Sequence, residues 1–273
     1  MDGRASAGSG ASAEREWPLP GGLGSDGLVV RVGATVRRPE RDFSPAVRAF
    51  LHHLHENGFE AAPRPLGHDD QGREILSYLS GEVAHPPFPA WAADPELLAS
   101  VARLQRRMHT AARGFTPPPD AVWQRANLPP SGPGALVGHN ELVCHNDLCV
   151  ENVVVRDGRA VGVIDFDFAA PSDPLRDIAI AVRHWVPVRH PDDLPEAWRG
   201  LDLRARFAAF CAVHDLDDEP RARVLDHVAD FLDRALVSMR TRAEQGRPGY
   251  VRAWRDGYEA QNRRSHAAVD GLR

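Results

Sequence analysis

The sequence predicts an α+β protein of two lobes, a small β-rich lobe at the N-terminus followed by a larger and mainly helical lobe. Three observations lead to this prediction. Short apolar runs separated by turn residues fill much of residues 17–80, which is typical of strands. From residue 95 onward, several segments carry apolar side chains at helical spacing. Near the middle of the chain, a polar cluster lies between two apolar runs, where a hairpin is expected.

We expect the chain to divide into three parts. Residues 1–16 are rich in Ala, Ser and Gly and lack apolar periodicity, so this segment is predicted to be a disordered tail. Residues 17–80 would form the N-lobe and residues 81–273 the C-lobe, with a hinge at residues 77–81. The total of 273 residues is enough for two such lobes.

Turn and cap residues predict the elements of the N-lobe. An apolar run at residues 28–32 meets Gly33-Ala34, and the chain continues to Pro39, which predicts a hairpin. Ser44-Pro45 opens a helix over residues 44–57 with apolar positions on one face. Residues 74–79 predict a further strand. The glycine-rich residues 21–27 could either fold over phosphates or belong to the tail.

The elements of the C-lobe are mainly helices. Asp94-Pro95 begins a long amphipathic helix. Residues 116–138 hold many prolines and glycines, which predicts an extended surface connection. Residues 221–243 carry one apolar stripe at helical spacing and give the clearest of the later helices.

Composition excludes several classes of protein. A net charge of −5 argues against a nucleic-acid partner, because such a protein needs a basic field to offset phosphates. No run approaches the ~20 apolar residues of a membrane helix and the N-terminus has no signal-peptide core, so we expect no membrane partner and a cytoplasmic location. All 33 basic residues are arginines, so any role of lysine falls to arginine. The sequence does not indicate an oligomeric state.

The strongest chemical signal lies in residues 143–165. His145, Asp147 and Asn152 precede an apolar run, and a turn at residues 156–159 returns the chain to Asp165. The arrangement suits phosphoryl transfer, in which a protein positions a hydroxyl group and neutralises charge on phosphates. Asp147 would accept or orient the hydroxyl proton, and His145 would brace the loop. Asn152 and Asp165 would supply the oxygen ligands that Mg²⁺ prefers. A plain hairpin with polar turn caps is the structural alternative, but it requires no fixed spacing among these residues.

Three motifs carry a resemblance to a known family. They are His145-x-Asp147-x₄-Asn152, then Ile164-Asp165-Phe166-Asp167, and finally Asp173-Pro174-x-x-Asp177-Ile178-Ala179. In this order they resemble the aminoglycoside phosphotransferase and choline kinase-like family. The resemblance implies a two-lobed protein-kinase-like fold with ATP and Mg²⁺ as cofactors. It also implies that Asp147 is the catalytic aspartate, that Asn152 and Asp165 bind the metal, and that Asp177 ties its helix to the catalytic loop.

The nucleotide-binding residues follow from the same resemblance. The lysine that holds the nucleotide phosphates in the family would fall at Arg38, with Arg37 as a near alternative. An exposed strand arginine is the structural alternative for this position. In the hinge, the backbone at Ser77 and Leu79 would contact the nucleotide.

Two features depart from the family pattern. The family often has a glutamate in its first helix that pairs with the lysine, but Val47 and Arg48 stand near the expected position. This helix therefore supplies no acidic partner for Arg38. Asn146 stands where the family usually has glycine, which we interpret as a feature of a subfamily.

These observations predict an ATP-dependent phosphotransferase that acts on a hydroxyl group of a small molecule. Acidic residues in the last third would attract a cationic acceptor, although they also suit helix caps and solvated turns. They are Asp192, Asp193, Glu196, Asp202, Asp215, Asp217, Asp218 and Glu219. The identity of the acceptor and the choice between ATP and GTP stay open. The alternative is a non-catalytic kinase-fold binding or immunity protein, which the missing lysine and helix glutamate favour.

Overall fold

The computed structural model describes residues 15–20, 28–124 and 142–273. Most of the predicted tail, the glycine-rich residues 21–27 and most of the predicted surface connection lie outside the described residues. By contacts, the chain divides into two compact units. The first comprises residues up to Glu40 together with Leu66–Tyr78, and the second comprises Arg41–Pro65 and Leu79–Arg273.

The first unit is a five-stranded sheet. Its strands are β1 (Glu16–Pro18), β2 (Val30–Val32), β3 (Thr35–Pro39), β4 (Pro65–His68) and β5 (Arg73–Ser77), in the spatial order β1-β2-β3-β5-β4. The predicted hairpin of β2 and β3 is confirmed, and it turns at Gly33, whose φ of +57° suits glycine. Glu16, the last residue of the predicted tail, begins β1 and forms an ion pair with Arg73.

In the second unit, helix α1 (Ser44–Glu56) matches the predicted helix to within one residue. It buries Val47, Phe50, Leu51 and Leu54 almost completely. The sequence analysis assigned these residues to the N-lobe, whereas by contacts they group with the second unit. The apolar face decides this grouping, because it makes its contacts within the second unit.

The long predicted helix is α2 (Pro95–Ala112), capped by Asp94, whose side chain accepts hydrogen bonds from the amides of Glu96 and Leu97 at 2.8 and 3.1 Å. Two antiparallel strand pairs follow. Strand β6 (Leu142–Cys144) pairs with β9 (Ala170–Ser172), and between them β7 (Val153–Arg156) pairs with β8 (Arg159–Val163). The β7–β8 hairpin turns at Asp157-Gly158, where both residues have positive φ, as a tight hairpin turn requires.

Helices complete the second unit. They are α3 (Pro174–Trp185), α4 (Leu203–Val213), α5 (Asp218–Glu244), α6 (Pro248–Arg255) and α7 (Tyr258–Asp270). Helix α5 contains the predicted helix of residues 221–243, and α3, α6 and α7 pack against it. Within the described ranges, no helix is long and apolar enough to cross a membrane.

Candidate active site

The polar segment predicted from the sequence forms a loop between β6 and β7. The register of the β7–β8 hairpin sets Val153 opposite Val163, and the amide of Ile164 donates to the carbonyl of Asn152 at 2.9 Å. Asn152 therefore lies directly before β7 and Asp165 two residues after the end of β8, at the same end of the hairpin.

His145 joins the loop to the end of strand β8. Its ring is fully buried, accepts a hydrogen bond on Nδ1 from the amide of Asp147 (3.2 Å) and donates from Nε2 to the carbonyl of Ile164 (3.0 Å). Burial lowers the pKa of His145, which agrees with a neutral ring that carries its proton on Nε2. The edge of Phe166 packs on the ring, with centroids 4.7 Å apart.

Asp147 is oriented by Asn152. The Nδ2 of Asn152 donates to the Asp147 carbonyl at 2.9 Å and to its carboxylate at 3.0 Å. Burial and the nearby charge of Asp165 raise the pKa of Asp147 to about 8, although the hydrogen bond from Asn152 opposes this rise. The carboxylates of Asp147 and Asp165 thus lie close together, and a bound divalent cation would offset their negative charges. With Nδ2 engaged, Oδ1 is the atom through which Asn152 would bind such a cation.

Asp165 has a backbone conformation that is unusual for a residue with a side chain. Its φ of +60° and ψ of +67° lie in the left-handed region, where such a residue carries strain of order 1 kcal/mol or more. The side chain of the following Phe166 is buried against His145 and Phe50. Because this ring is anchored, the backbone turns so that Asp165 lies at the exposed side of the loop.

Asn146 has the same left-handed backbone conformation, with a φ of +60°. Glycine adopts positive φ without strain, and Asn is among the few residues with a side chain that tolerate it. The side chain adds a second role. Its Nδ2 donates to the carbonyls of Cys144, Phe168 and Ala170 at 3.0–3.2 Å.

Asp177 connects the loop to two helices. Asp173 caps α3 and Asp177 lies in its first turn, fully buried, where Oδ1 accepts from the amide of Asn146 at 2.6 Å. Its Oδ2 accepts from Gln105 at 2.8 Å and contacts His109 Nε2 at 2.7 Å. Burial alone would raise the pKa of Asp177, but the hydrogen bond and charge of His109 hold it below its usual value.

Gln105 and His109 were missed by the sequence analysis. Both lie four residues apart on the buried face of α2, so their only signal was two polar side chains within an apolar stripe. His109, Cys144 and Asp177 place potential metal-ligand atoms within 4.8 Å of one another. Both oxygens of Asp177 already have protein partners, so this group suits a structural network.

The residues predicted to hold the nucleotide lie in and just after the first unit. Arg38 on β3 stands directly opposite Glu74 on β5, and its Nε donates to the buried carboxylate of Glu74 at 3.0 Å. Arg38 thus has an acidic partner that comes from a neighbouring strand instead of a helix. Ser77 ends β5, and Leu79 is the first residue of the second unit after it. Their nucleotide contacts stay predictions.

A family model described as the phosphotransferase enzyme family matches residues 119–210. A curated relative, the trifolitoxin immunity protein of Rhizobium leguminosarum bv. trifolii, is 33% identical over 172 residues, which are 62% of this chain and 61% of the relative. The match thus spans about three fifths of the relative's length.

Solved structures show a similar fold over most of the chain. A choline/ethanolamine kinase family protein from Mesorhizobium loti aligns with a TM-score of 0.64 at 17% identity, covering 95% of this chain and 94% of that one. An amicoumacin kinase in complex with AMP-PNP, Ca²⁺ and Ami aligns with a TM-score of 0.61 at 12% identity, covering 94% of this chain and 88% of that one. The GDP complex of an aminoglycoside 2'-phosphotransferase aligns with a TM-score of 0.60 at 14% identity, covering 93% of this chain and 94% of that one. The predicted resemblance and the two-lobed protein-kinase-like fold class are confirmed.

Proposed function

We propose that this protein is an ATP-dependent phosphotransferase that phosphorylates a hydroxyl group of a small molecule. The observation that carries this proposal is the arrangement at the end of the β7–β8 hairpin, where Asn152 orients the carboxylate of Asp147 close to Asp165. In the transfer, the acceptor oxygen bonds to the γ-phosphorus of ATP and the bond to ADP breaks. The proton of the hydroxyl group passes to Asp147.

Each residue of the site would have a separate role in the transfer. The carboxylate of Asp147 would hold the acceptor hydroxyl group in line and receive its proton. His145 and Asp177 would hold the loop that carries Asp147 in place through hydrogen bonds to its backbone amides. Asn152 and Asp165 would hold Mg²⁺, which when bound neutralises charge on the phosphates.

On the nucleotide side, Arg38 would replace the family's lysine. Its guanidinium is held by Glu74, so its direction is fixed before the nucleotide binds. The backbone at Ser77 and Leu79 would contact the base. Similar structures bound to AMP-PNP and GDP support a nucleoside phosphate as the donor, and we propose ATP.

Calorimetric titration of ATP with and without Mg²⁺ tests the proposal. Wild-type protein should bind ATP more tightly with Mg²⁺, and Asp165→Asn should lose this dependence. Asp157→Asn is the matched control, because it is the same change at the exposed turn of the same hairpin and also at a positive φ. Equal binding by the Asp165 and Asp157 variants, or binding that ignores Mg²⁺, would refute the metal assignment.

A non-catalytic immunity or binding protein is the second candidate, since the curated relative is named an immunity protein. It predicts that the protein binds a small ligand or peptide tightly and transfers no phosphate from ATP. Turnover by wild type, lost in Asp147→Asn, would exclude it.

A further inference from the structure

Among the described residues, two arginines near the end of helix α3 lack partners: Arg183 in its last turn and Arg189, four residues after its end. Arg183 and Arg189 are partly buried, and within the part of the chain that the structure describes neither forms an ion pair or a hydrogen bond. The Nε and Nη1 atoms of Arg183 are closed off from solvent and have no acceptor. A buried guanidinium without a partner is unfavourable, because nothing replaces the water it gave up.

The surrounding charges add to this cost. Burial, together with the charge of Arg189, lowers the pKa of Arg183 to about 9. Burial also lowers the pKa of Arg189 and, together with both arginines, that of His184. Two acidic residues act on them, Asp193 and Glu151, and Asp193 is already held by both Nε and Nη2 of Arg264. Within the described part of the chain, the two guanidinium groups therefore form a positive region that has no ion pair of its own.

One side of this positive region approaches the loop that carries Asn152. Trp185, between the two arginines in sequence, donates from its indole to the carbonyl of Leu148 at 3.1 Å, next to Asp147. Glu151, which precedes Asn152, is close enough to Arg189 for its charge to raise the pKa of that arginine. Tyr258 at the start of α7 interacts electrostatically with both arginines.

Three of the eight acidic residues that would favour a cationic acceptor already have partners in the protein. Asp193 pairs with Arg264, Asp215 pairs with Arg106 at 2.5 Å, and Asp202 caps α4. The charges of these three residues are therefore at least partly neutralised by the protein itself.

We infer that the hydroxyl acceptor carries an anionic group, a carboxylate or a phosphate, which docks on Arg183 and Arg189. This inference rests on the proposed function, since it names the acceptor class of the same site. Such a group would accept hydrogen bonds from Nη2 of Arg183, which is not among its closed-off atoms, and from Arg189, and its charge would offset that of both arginines. The guanidinium fork suits both oxyanions.

Thermal unfolding of the full chain with simple probes tests the inference. Inorganic phosphate stands for a phosphate group, succinate for a carboxylate and spermidine for a cationic acceptor. At ten times its Kd, a bound anion should raise Tm by roughly 3–6 °C. The shift should persist in the control Arg252→Gln, an exposed arginine of α6, and fall by more than half in both Arg183→Gln and Arg189→Gln.

The same variants show whether the arginines are structural. Without any anion, Arg183→Gln should have a Tm equal to or above that of wild type, because one of two like charges has been removed. A shift with succinate alone identifies a carboxylate-bearing acceptor, and one with phosphate alone a phosphorylated acceptor. An anion shift that is equal in wild type and both variants would overturn the inference, as would a shift with spermidine only.

The result of the anion measurement can be distinguished from the result of the test of the proposed function. The anion measurement contains no nucleotide, so it can succeed even if the Asp165→Asn titration fails. Arg183→Gln should also bind ATP and Mg²⁺ as wild type does. If ATP binding is lost together with the anion shift, the arginines serve the nucleotide phosphates and the acceptor assignment is wrong.

Discussion

Replacing Asp177 by asparagine removes the charge at the centre of the network behind the catalytic loop. In the wild type the two oxygens meet three N–H donors, from the Asn146 amide, Gln105 and His109, at 2.6–2.8 Å. Asparagine keeps one acceptor oxygen, and its NH₂ group would face N–H donors. Breaking such a fully buried charged network costs about 3–5 kcal/mol.

For a chain of this size, that loss corresponds to a fall in Tm of roughly 6–20 °C. Urea unfolding and thermal unfolding at pH 7 would measure it. The control is Asp256→Asn, which changes a largely exposed carboxylate with one distant partner, Arg255 at 3.9 Å. This control should shift stability by no more than about 0.5 kcal/mol.

The dependence on pH gives a second check of the same reasoning. The pKa of Asp177 is lower in the folded protein than in the unfolded chain, so its contribution is fully present above the unfolded value, ~3.9. The contribution is lost as the pH falls through the folded pKa. The difference between wild type and Asp177→Asn should thus be constant from pH 7 to 5 and shrink below about pH 4. A variant as stable as wild type at pH 7, or a difference that grows on acidification, would refute this account.

Three further changes test other parts of the fold. Asn146→Gly keeps the positive φ but loses three side-chain hydrogen bonds, so urea unfolding should show that the free energy of unfolding falls by about 1–3 kcal/mol. Asn146→Ala should lose about 1 kcal/mol more, because alanine is strained at positive φ. An alanine variant as stable as the glycine variant would contradict the role of φ. Glu74→Gln should lower stability by about 2–3 kcal/mol and weaken ATP binding through Arg38, and unchanged calorimetric affinity would remove Arg38 from the nucleotide site. Gly81→Ala places a Cβ 2.5 Å from Val154, whereas Gly200→Ala, at a φ of +86°, meets nothing within 4 Å, so the first should lose at least 1 kcal/mol more in thermal unfolding; equal losses would show that the clash relaxes freely.

Local signals were sufficient for several elements. Gly33-Ala34 and Asp157-Gly158 predicted two hairpins, because residues at a tight turn need unusual φ values that few side chains allow. Asp94-Pro95 predicted the start of α2, because a capping carboxylate and a proline satisfy the first helical turn. The hairpin also predicted that Asn152 and Asp165 end on the same side, and the observed register agrees.

The sequence by itself determined the fold class and the order of the motif residues, since both depend on spacing along the chain. Only the tertiary structure decided which other residues contact these motif residues. Asp177 contacts Gln105 and His109 across 72 and 68 residues, and Arg38 contacts Glu74 across 36. It also left Arg183 near Arg189 without an ion pair to any described acidic residue. Such contacts depend on how helices and strands pack, and packing brings together residues whose separation in sequence carries no periodic signal.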